Sequence, residues 1–483
     1  MYIAVGLVLL CFVVLAVWTT WFRQKPDAPP LMPGILPIIG HSHHLIGDRT
    51  RELISFNFIF SLNLQKKILK WVTTFLTDPD DCLKLVNTCY SKSYIYDFAK
   101  DFINNGLITA DAATWKVHRK LLNPAFNQQV LDTFINEMNI QARNVVSNLK
   151  NELDKKSFDV LRHIVSFTLS TVSRTSLGLT DEDQKIIDTD YAAAIDSIFA
   201  LYCDRFQKVW LHLNFIFKWS EIKRKQDRLL KILHNIMIPV RYFCKFKPIL
   251  DQMLQMASDH GVFSDEDIRE HLDTLVAASY DTTSSAMTHM LLAIATYPEI
   301  QDRIYNEKGI FFRIQEVLEN KDDDFTKHDL QKLVYLEAVM KETLRLHSAT
   351  PIIGRKVDVD VKLNVFYYIP ENCTLRANST CVIGVYALHR HPLWGPDANE
   401  FKPERWLDPS ISSLLEKPAL FAAFGIGKRH CIGNSYSMLM MKIALAHIVR
   451  QYHISGDINK VVCEFDIVLK PVSGHHIGLK LRS

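Results

Sequence analysis

Closely paired cysteines are missing from this chain. Its nine cysteines, at 11, 82, 89, 203, 244, 373, 381, 431 and 463, never stand two to four residues apart, the spacing a structural zinc site uses. Their odd number and irregular spacing argue against a disulfide framework and place most of the chain in a reducing compartment. An excess of one charge is missing too. Fifty-six lysines and arginines against 53 acids leave +3, too balanced for a nucleic-acid-binding protein. There is no internal repeat and no low-complexity tract. No strand–Gly-x-Gly-x-x-Gly–helix unit occurs, so the chain carries no nucleotide-redox domain of its own. The first 22 residues have no charged side chain at all.

That last absence points to a membrane. Residues 1–22, MYIAVGLVLLCFVVLAVWTTWF, would form a helix about 33 Å long, enough to cross a bilayer. A cleaved signal peptide, the competing reading, puts its bases before a shorter apolar core. Here Arg23 and Lys25 follow the core, which sets the N-terminus in the lumen and the rest of the chain in the cytosol. Residues 26–40 carry five prolines and two glycines. Such a segment resists helix and strand, so 23–40 reads as a stiff hinge. No later segment divides the body, and 41–483 is expected to be one domain. Apolar residues recur at helical period over 128–150, 223–243, 265–297, 327–347 and 434–452. Strand-like stretches are few: 68–76, 357–363, 380–388 and 476–481. The expected class is mainly α, one large helical domain with small β-sheets at its edges.

One cysteine has unusual neighbours. Cys431 lies in FAAFGIGKRHCIG, residues 421–433, among three glycines and beside Lys428 and Arg429. Taken alone, it fits a buried structural cysteine or a nucleophile. Its surroundings fit a third use, the thiolate axial ligand of a haem iron. Gly425 and Gly427 would let the backbone approach a flat macrocycle where a side chain would clash. Phe424 would pack on that macrocycle, and Arg429 would pair with a propionate. Backbone N–H groups, with the start of the helix after Gly433, would stabilise the negative sulfur.

The stretch resembles the signature of the cytochrome P-450 superfamily of haem-thiolate monooxygenases, Phe-x-x-Gly-x-x-x-Cys-x-Gly. Phe424, Gly427, Cys431 and Gly433 fill its fixed positions. Three further motifs follow the family's order. KETLR supplies Glu342 and Arg345, and FKPERW supplies Arg405. The resemblance gives these three a fold-holding role near the cysteine; alone, the first pair would fit an exposed salt bridge. ATWKVHRKLLNPAF places Trp115 and Arg119 one helical turn apart, where the family holds a propionate. Alone, that pair would fit an amphipathic helix with a buried tryptophan. Arg355, in PIIGRK, occupies another propionate position.

AASYDTT, residues 277–283, resembles the family's acid–alcohol motif, with Asp281 and Thr282 relaying the protons that dioxygen cleavage consumes. The competing use of Thr282 is to bond the carbonyl four residues back. Two positions depart from the family: Ser279 where glycine is usual, and Met440 where glutamate is common. In the fatty-acid-hydroxylating clan, a glutamate often found at the position of Ala278 esterifies the haem. Alanine cannot, so haem b is expected to be non-covalent. HRKLLNPAF, YDTTSSAM and ALHRHPLWGPDANEFKPERW are most similar to animal microsomal members of that clan, of insect type.

The resemblance implies a monomeric, single-pass enzyme of the endoplasmic reticulum membrane with a cytosolic catalytic domain. It would insert one oxygen atom from O2 into an apolar substrate: a fatty acid, hormone, odorant or xenobiotic. Electrons would come from NADPH–cytochrome P-450 reductase, with cytochrome b5 as a further donor. No nucleic-acid partner is expected. Lys116, Lys120, Lys428 and Lys442 are expected on the docking face. Expected pocket linings are 94–110, Ala277, Ala278, 351–353 and the turn 473–476. Two rivals stand beside this reading. A peroxide-rearranging haem-thiolate isomerase would tend to lose the acid–alcohol pair, which is present here. A haem- or ligand-binding protein without turnover is favoured only by Ser279.

Overall fold

The computed structural model describes residues 65–68, 71–153, 155–178, 191–243, 249–251, 253–255, 262–307, 324–364 and 373–482. The expected membrane helix 1–22 and hinge 23–40 lie outside them. Among the described residues no helix is long and apolar enough to cross a membrane.

In chain order, β1 (Gln65–Ile68) and β2 (Trp71–Leu76) form a hairpin. Then come α1 (Pro79–Thr88), α2 (Ala112–Leu122), α3 (Ile135–Leu149), β3 (Phe158–Asp159), α4 (Leu161–Val172), α5 (Ala192–Gln207) and α6 (Glu221–Phe243). α7 (Asp265–Thr296) and α8 (Val334–Leu346) lead to β4 (Ile352–Lys356), β5 (Val361–Lys362), β6 (Thr374–Leu375) and β7 (Thr380–Gly384). The end of the chain holds α9 (Asn434–Gln451), β8 (Tyr452–Ser455), β9 (Cys463–Phe465), β10 (Leu469–Pro471) and β11 (His476–Leu481).

α7 is the axis. Ser264 caps it in a reciprocal box with Asp267, and Asp265, Glu266 and Asp267 load its first turn with negative charge, which its N-terminal dipole favours. It is buried on nearly every side, as suits a central helix. It packs on α4, α8 and α9, while α9 lies along α3. One sheet has the order β1–β2–β7–β4, with β2 and β7 parallel; a second has the order β3–β11–β8. The helical core and a smaller core around the first sheet are separate clusters.

Three expected strands differ from what forms. In 68–76, Ile68 closes β1 opposite Trp71, and only Trp71–Leu76 runs on as β2. In 357–363, only Val361–Lys362 is strand. Asp358 leaves the alternation to accept from the N–H groups of Tyr90 and Ser91 at 2.9 and 3.1 Å. The neighbouring 352–356 pairs with β7 instead. In 380–388, the ladder to β2 stops at Leu76–Ile383, where β2 itself ends. Without that partner, Val385–Leu388 turns helical.

Candidate active site

The loop carrying Cys431 closes on itself and spans the seam between the two cores. Phe421 and Phe424 pack on the larger core, and Ala422 and Ile426 belong to the smaller. Gly425 N–H donates to Ala422 O (2.8 Å), His430 N–H to Gly427 O (3.1 Å) and Cys431 N–H to Phe424 O (2.7 Å). Gly425 and Gly427 have φ of +74° and +69°, a region that costs other residues about 1–2 kcal/mol. A Cβ on Gly427 would also lie 2.5 Å from Val86 Cγ2 on α1. Backbone conformation and the neighbouring helix therefore already demand this glycine. Gly433 has an ordinary φ of −85° and caps α9.

Cys431 is exposed and opens onto a cleft lined by Trp115, Arg119, Lys428 and Ile432. Protein nonetheless surrounds the sulfur closely enough that desolvation pushes the thiol up; the Gly433 N–H, Arg119 and Lys92 oppose that rise.

Cations gather beside the loop. Asp111 caps α2 by accepting from Ala113 and Thr114 N–H, and α2 buries Trp115. Arg119 turns to the loop, donating through Nη1 to His430 O at 2.8 Å and through Nε to Asn123 Oδ1 at 2.7 Å. Arg429, rather than Arg119, covers the Trp115 ring, at 4.6 Å. Its Nη2 donates to Ala110 O and Asp111 O, while its buried Nε and Nη1 have no acceptor among the described residues. Arg355 is buried in β4 and donates to Gly354 O. Burial, then Arg355, lowers Arg429 to about 10; burial also lowers Arg355.

Lys92, which sequence reasoning missed, is bridged to Arg355 through the backbone. Burial, then Arg355 and Arg429, pushes it well below the usual ammonium range. No motif marked it; only the long-range bridge brings it here.

Behind the loop, Glu342 collects five donors. Arg345 Nε and Nη2 reach its two oxygens at 2.8 Å each, Arg405 Nε and Lys402 N–H at 2.9 Å, and Trp406 Nε1 at 3.0 Å. Both Glu342 and Arg345 are fully buried. His389, also missed from sequence, ties this cluster to the loop. Its Nδ1 bonds Arg345 O at 2.8 Å, and its Nε2 accepts from Ala422 N–H at 2.9 Å. Burial lowers His389 to about 3, keeping the ring neutral.

α7 passes nearby. Between Glu270 and Ala295 only Ala278, Ser279 and Thr282 are half-open, and their spacing places them on one helix face. The helix runs unbroken through Ser279. Thr282 Oγ1 donates to Ala278 O at 2.7 Å. Asp281 is buried, with Oδ1 3.6 Å from Lys470 Nζ. Burial pushes it up to about 6.

One expectation needs correction. Lys442 is not on a docking face: it is buried, bonding Leu330 O and Glu337 Oε2 at 2.9 Å each. Lys116, Lys120 and Lys428 are exposed. The turn 473–476 leads into β11, which pairs with β3. β11 also packs on α7, and so does the β9–β10 hairpin, with Ser285 Oγ donating to Leu469 O at 2.9 Å.

A helical body with a cysteine on a glycine-turned loop at the start of its last long helix is the frame of a haem-thiolate oxygenase. The Cytochrome P450 family model matches residues 72–477, and the chain belongs to that family. Cytochrome P450 4d2 of Drosophila melanogaster is 27% identical over 513 aligned residues, covering 99% of this chain and 99% of its own. Cytochrome P450 4V2 of Homo sapiens is 29% identical over 495, covering 96% and 91%. The Mus musculus Cytochrome P450 4V2 is 28% identical over 491, covering 95% and 91%. The protein is thus a haem-thiolate monooxygenase, with iron held by a cysteine thiolate, O2 as oxidant and electrons from a redox partner. The residues present fit such a cofactor. Two buried guanidinium nitrogens of Arg429 without protein acceptors are the complement a buried carboxylate needs.

Proposed function

We propose that Cys431 is the thiolate ligand of a non-covalent haem b. The body 41–483 would be one domain, held on the cytosolic face of the endoplasmic reticulum by a single span at 1–22 with a hinge at 23–40. The observation that carries the haem assignment is an open cysteine two residues from the unpartnered nitrogens of Arg429. The bound haem supplies the oxygen-activating chemistry. This chain's residues hold and feed it. Cys431 binds the iron. Arg429, Arg355, Arg119 and Trp115, with Lys92 added, hold the two propionates. Phe424 packs on the ring, Gly427 shapes the loop, and Gly433 N–H stabilises the thiolate. Ala278 has no carboxylate to form an ester.

Asp281, with its pKa near 6, exchanges protons in the neutral range. Thr282, donating to Ala278 O, keeps its lone pairs for water. Glu342, Arg345 and Arg405 hold the fold behind the loop. The substrate is an apolar organic molecule: a fatty acid, hormone, odorant or xenobiotic. The electron donor is NADPH–cytochrome P-450 reductase, with cytochrome b5 as a second donor, docking near exposed Lys116, Lys120 and Lys428. The enzyme acts as a monomer.

The carbon-monoxide difference spectrum of the reduced protein tests the ligand. The thiolate band should be present in the native chain and lost in Cys431→Ser; a native band in that variant overturns the assignment. Substrate-dependent NADPH consumption with added reductase separates monooxygenation from peroxide rearrangement and from ligand binding without turnover.

A further inference from the structure

Three elements meet at one ammonium. Lys470 Nζ on β10 lies 3.5 Å from Asp196 Oδ1 on α5, 3.6 Å from Asp281 Oδ1 on α7 and 3.7 Å from Asp466 Oδ2 in the hairpin turn. A phenol and a thiol also face the cluster. Tyr280 O–H donates to Asp196 Oδ1 at 3.1 Å, and Cys203 S–H to Asp466 Oδ1 at 2.6 Å. Side-chain exposure is graded: 51% at Asp196, 27% at Lys470 and 7% at Asp281. The cluster therefore runs from solvent to the buried carboxylate of α7. Asp281 Oδ2 is buried without a partner among the described residues, a position that suits a bound water.

We propose that Lys470 is a positioning residue for proton delivery. It fixes Asp281 through one oxygen, leaves the other to water, and ties that carboxylate to the solvent-facing Asp196. The inference rests on the reading of Asp281 as a proton relay. Asp281 shares its ammonium with two further carboxylates, whose charge favours a proton on it. Burial pushes Asp281 up, Lys470 draws it down, and Asp196 and Asp466 push it up again. Burial pulls Lys470 down, but the three carboxylates together raise it above its ordinary value, keeping it charged. Two opposite perturbations follow. Removing the Lys470 charge raises Asp281, and removing the Asp196 charge lowers it. A merely structural role for Lys470 gives no such opposition.

The test uses haem-loaded Lys470→Met, Lys470→Arg and Asp196→Asn. Infrared difference spectra across pH read the Asp281 carboxyl directly, with Asp281→Asn as the control. The midpoint is expected to rise by about one unit in Lys470→Met, fall by a fraction of a unit in Asp196→Asn, and return toward native in Lys470→Arg. Hydrogen peroxide released per NADPH consumed, with reductase and dodecanoic acid as the probe, is expected to rise several-fold in Lys470→Met. Midpoints that move in the same sense, or not at all, in variants that keep the thiolate–carbon monoxide band overturn the proposal. Asp196→Asn, at a half-exposed position, decides alone if Lys470→Met does not fold: an unmoved midpoint overturns it. If Asp281→Asn leaves peroxide release at the native value, the relay reading falls and this inference with it. A sensitive Asp281→Asn beside an unmoved Lys470→Met sinks this inference alone.

Discussion

Replacing Glu342 with glutamine keeps its volume and removes its charge. The carboxylate accepts from Arg345 Nε and Nη2, Arg405 Nε, Trp406 Nε1 and Lys402 N–H, and is fully buried with Arg345. A glutamine presents an NH2 where one oxygen stood, so about two of the five donors lose their acceptor. An orphaned buried donor costs about 1–3 kcal/mol, and breaking a buried ion pair from one side about 3–5 kcal/mol. Both routes converge on a loss of about 4 kcal/mol, a large share of a domain stability of about 5–15 kcal/mol. Chemical denaturation of the haem-loaded protein, followed at the Soret band, should show a much lower midpoint and poorer haem loading. Removing Arg405 as well, in Glu342→Gln/Arg405→Gln, should cost less than the two single changes added together, because the remaining charge is better balanced. A Glu342→Gln protein within about 0.5 kcal/mol of native, normally loaded with haem, refutes the reasoning.

Gly427→Ala should lose about 2 kcal/mol or more, from its positive φ and its contact with Val86. Val86→Ala in the same chain should return part of that in thermal denaturation. Asp281 titrates near 6 in the folded chain against an ordinary 3.8. The folded state thus binds its proton more tightly, and stability falls as pH rises from about 4 to 6. Asp281→Asn should accordingly stabilise the fold by about 1–3 kcal/mol at pH 7.5, a gain that vanishes near pH 4 in urea unfolding across pH. Arg429→Met should raise the rate of haem transfer to apomyoglobin several-fold while far-ultraviolet circular dichroism stays native.

What the residues disclose in advance depends on how local the signal is. α7 and α9 are legible over 265–297 and 434–452 because the residues within each segment favour helix on their own, although both helices are then buried on more than one face. The cysteine loop is equally readable, since two turn-forming glycines and the cysteine lie within seven positions. Long-range partners are not readable. The parallel ladder of β2 with β7 joins Thr73 to Thr380, and no pattern near residue 388 says that β2 has run out. Lys92 and His389 carry no motif; each matters through a partner far away in sequence. Lys442 looks like any surface lysine until Leu330 O and Glu337 close over it.

His389 makes the position of the sulfur hostage to one tautomer. A ring that donates from Nδ1 to Arg345 O and accepts at Nε2 from Ala422 N–H can satisfy both backbone groups in only one of its three protonation forms. An imidazolium would turn a donor against the Ala422 amide, and a phenyl ring would abandon both groups. The clamp on Glu342 and the segment that presents Cys431 are thus geared together by a single neutral imidazole.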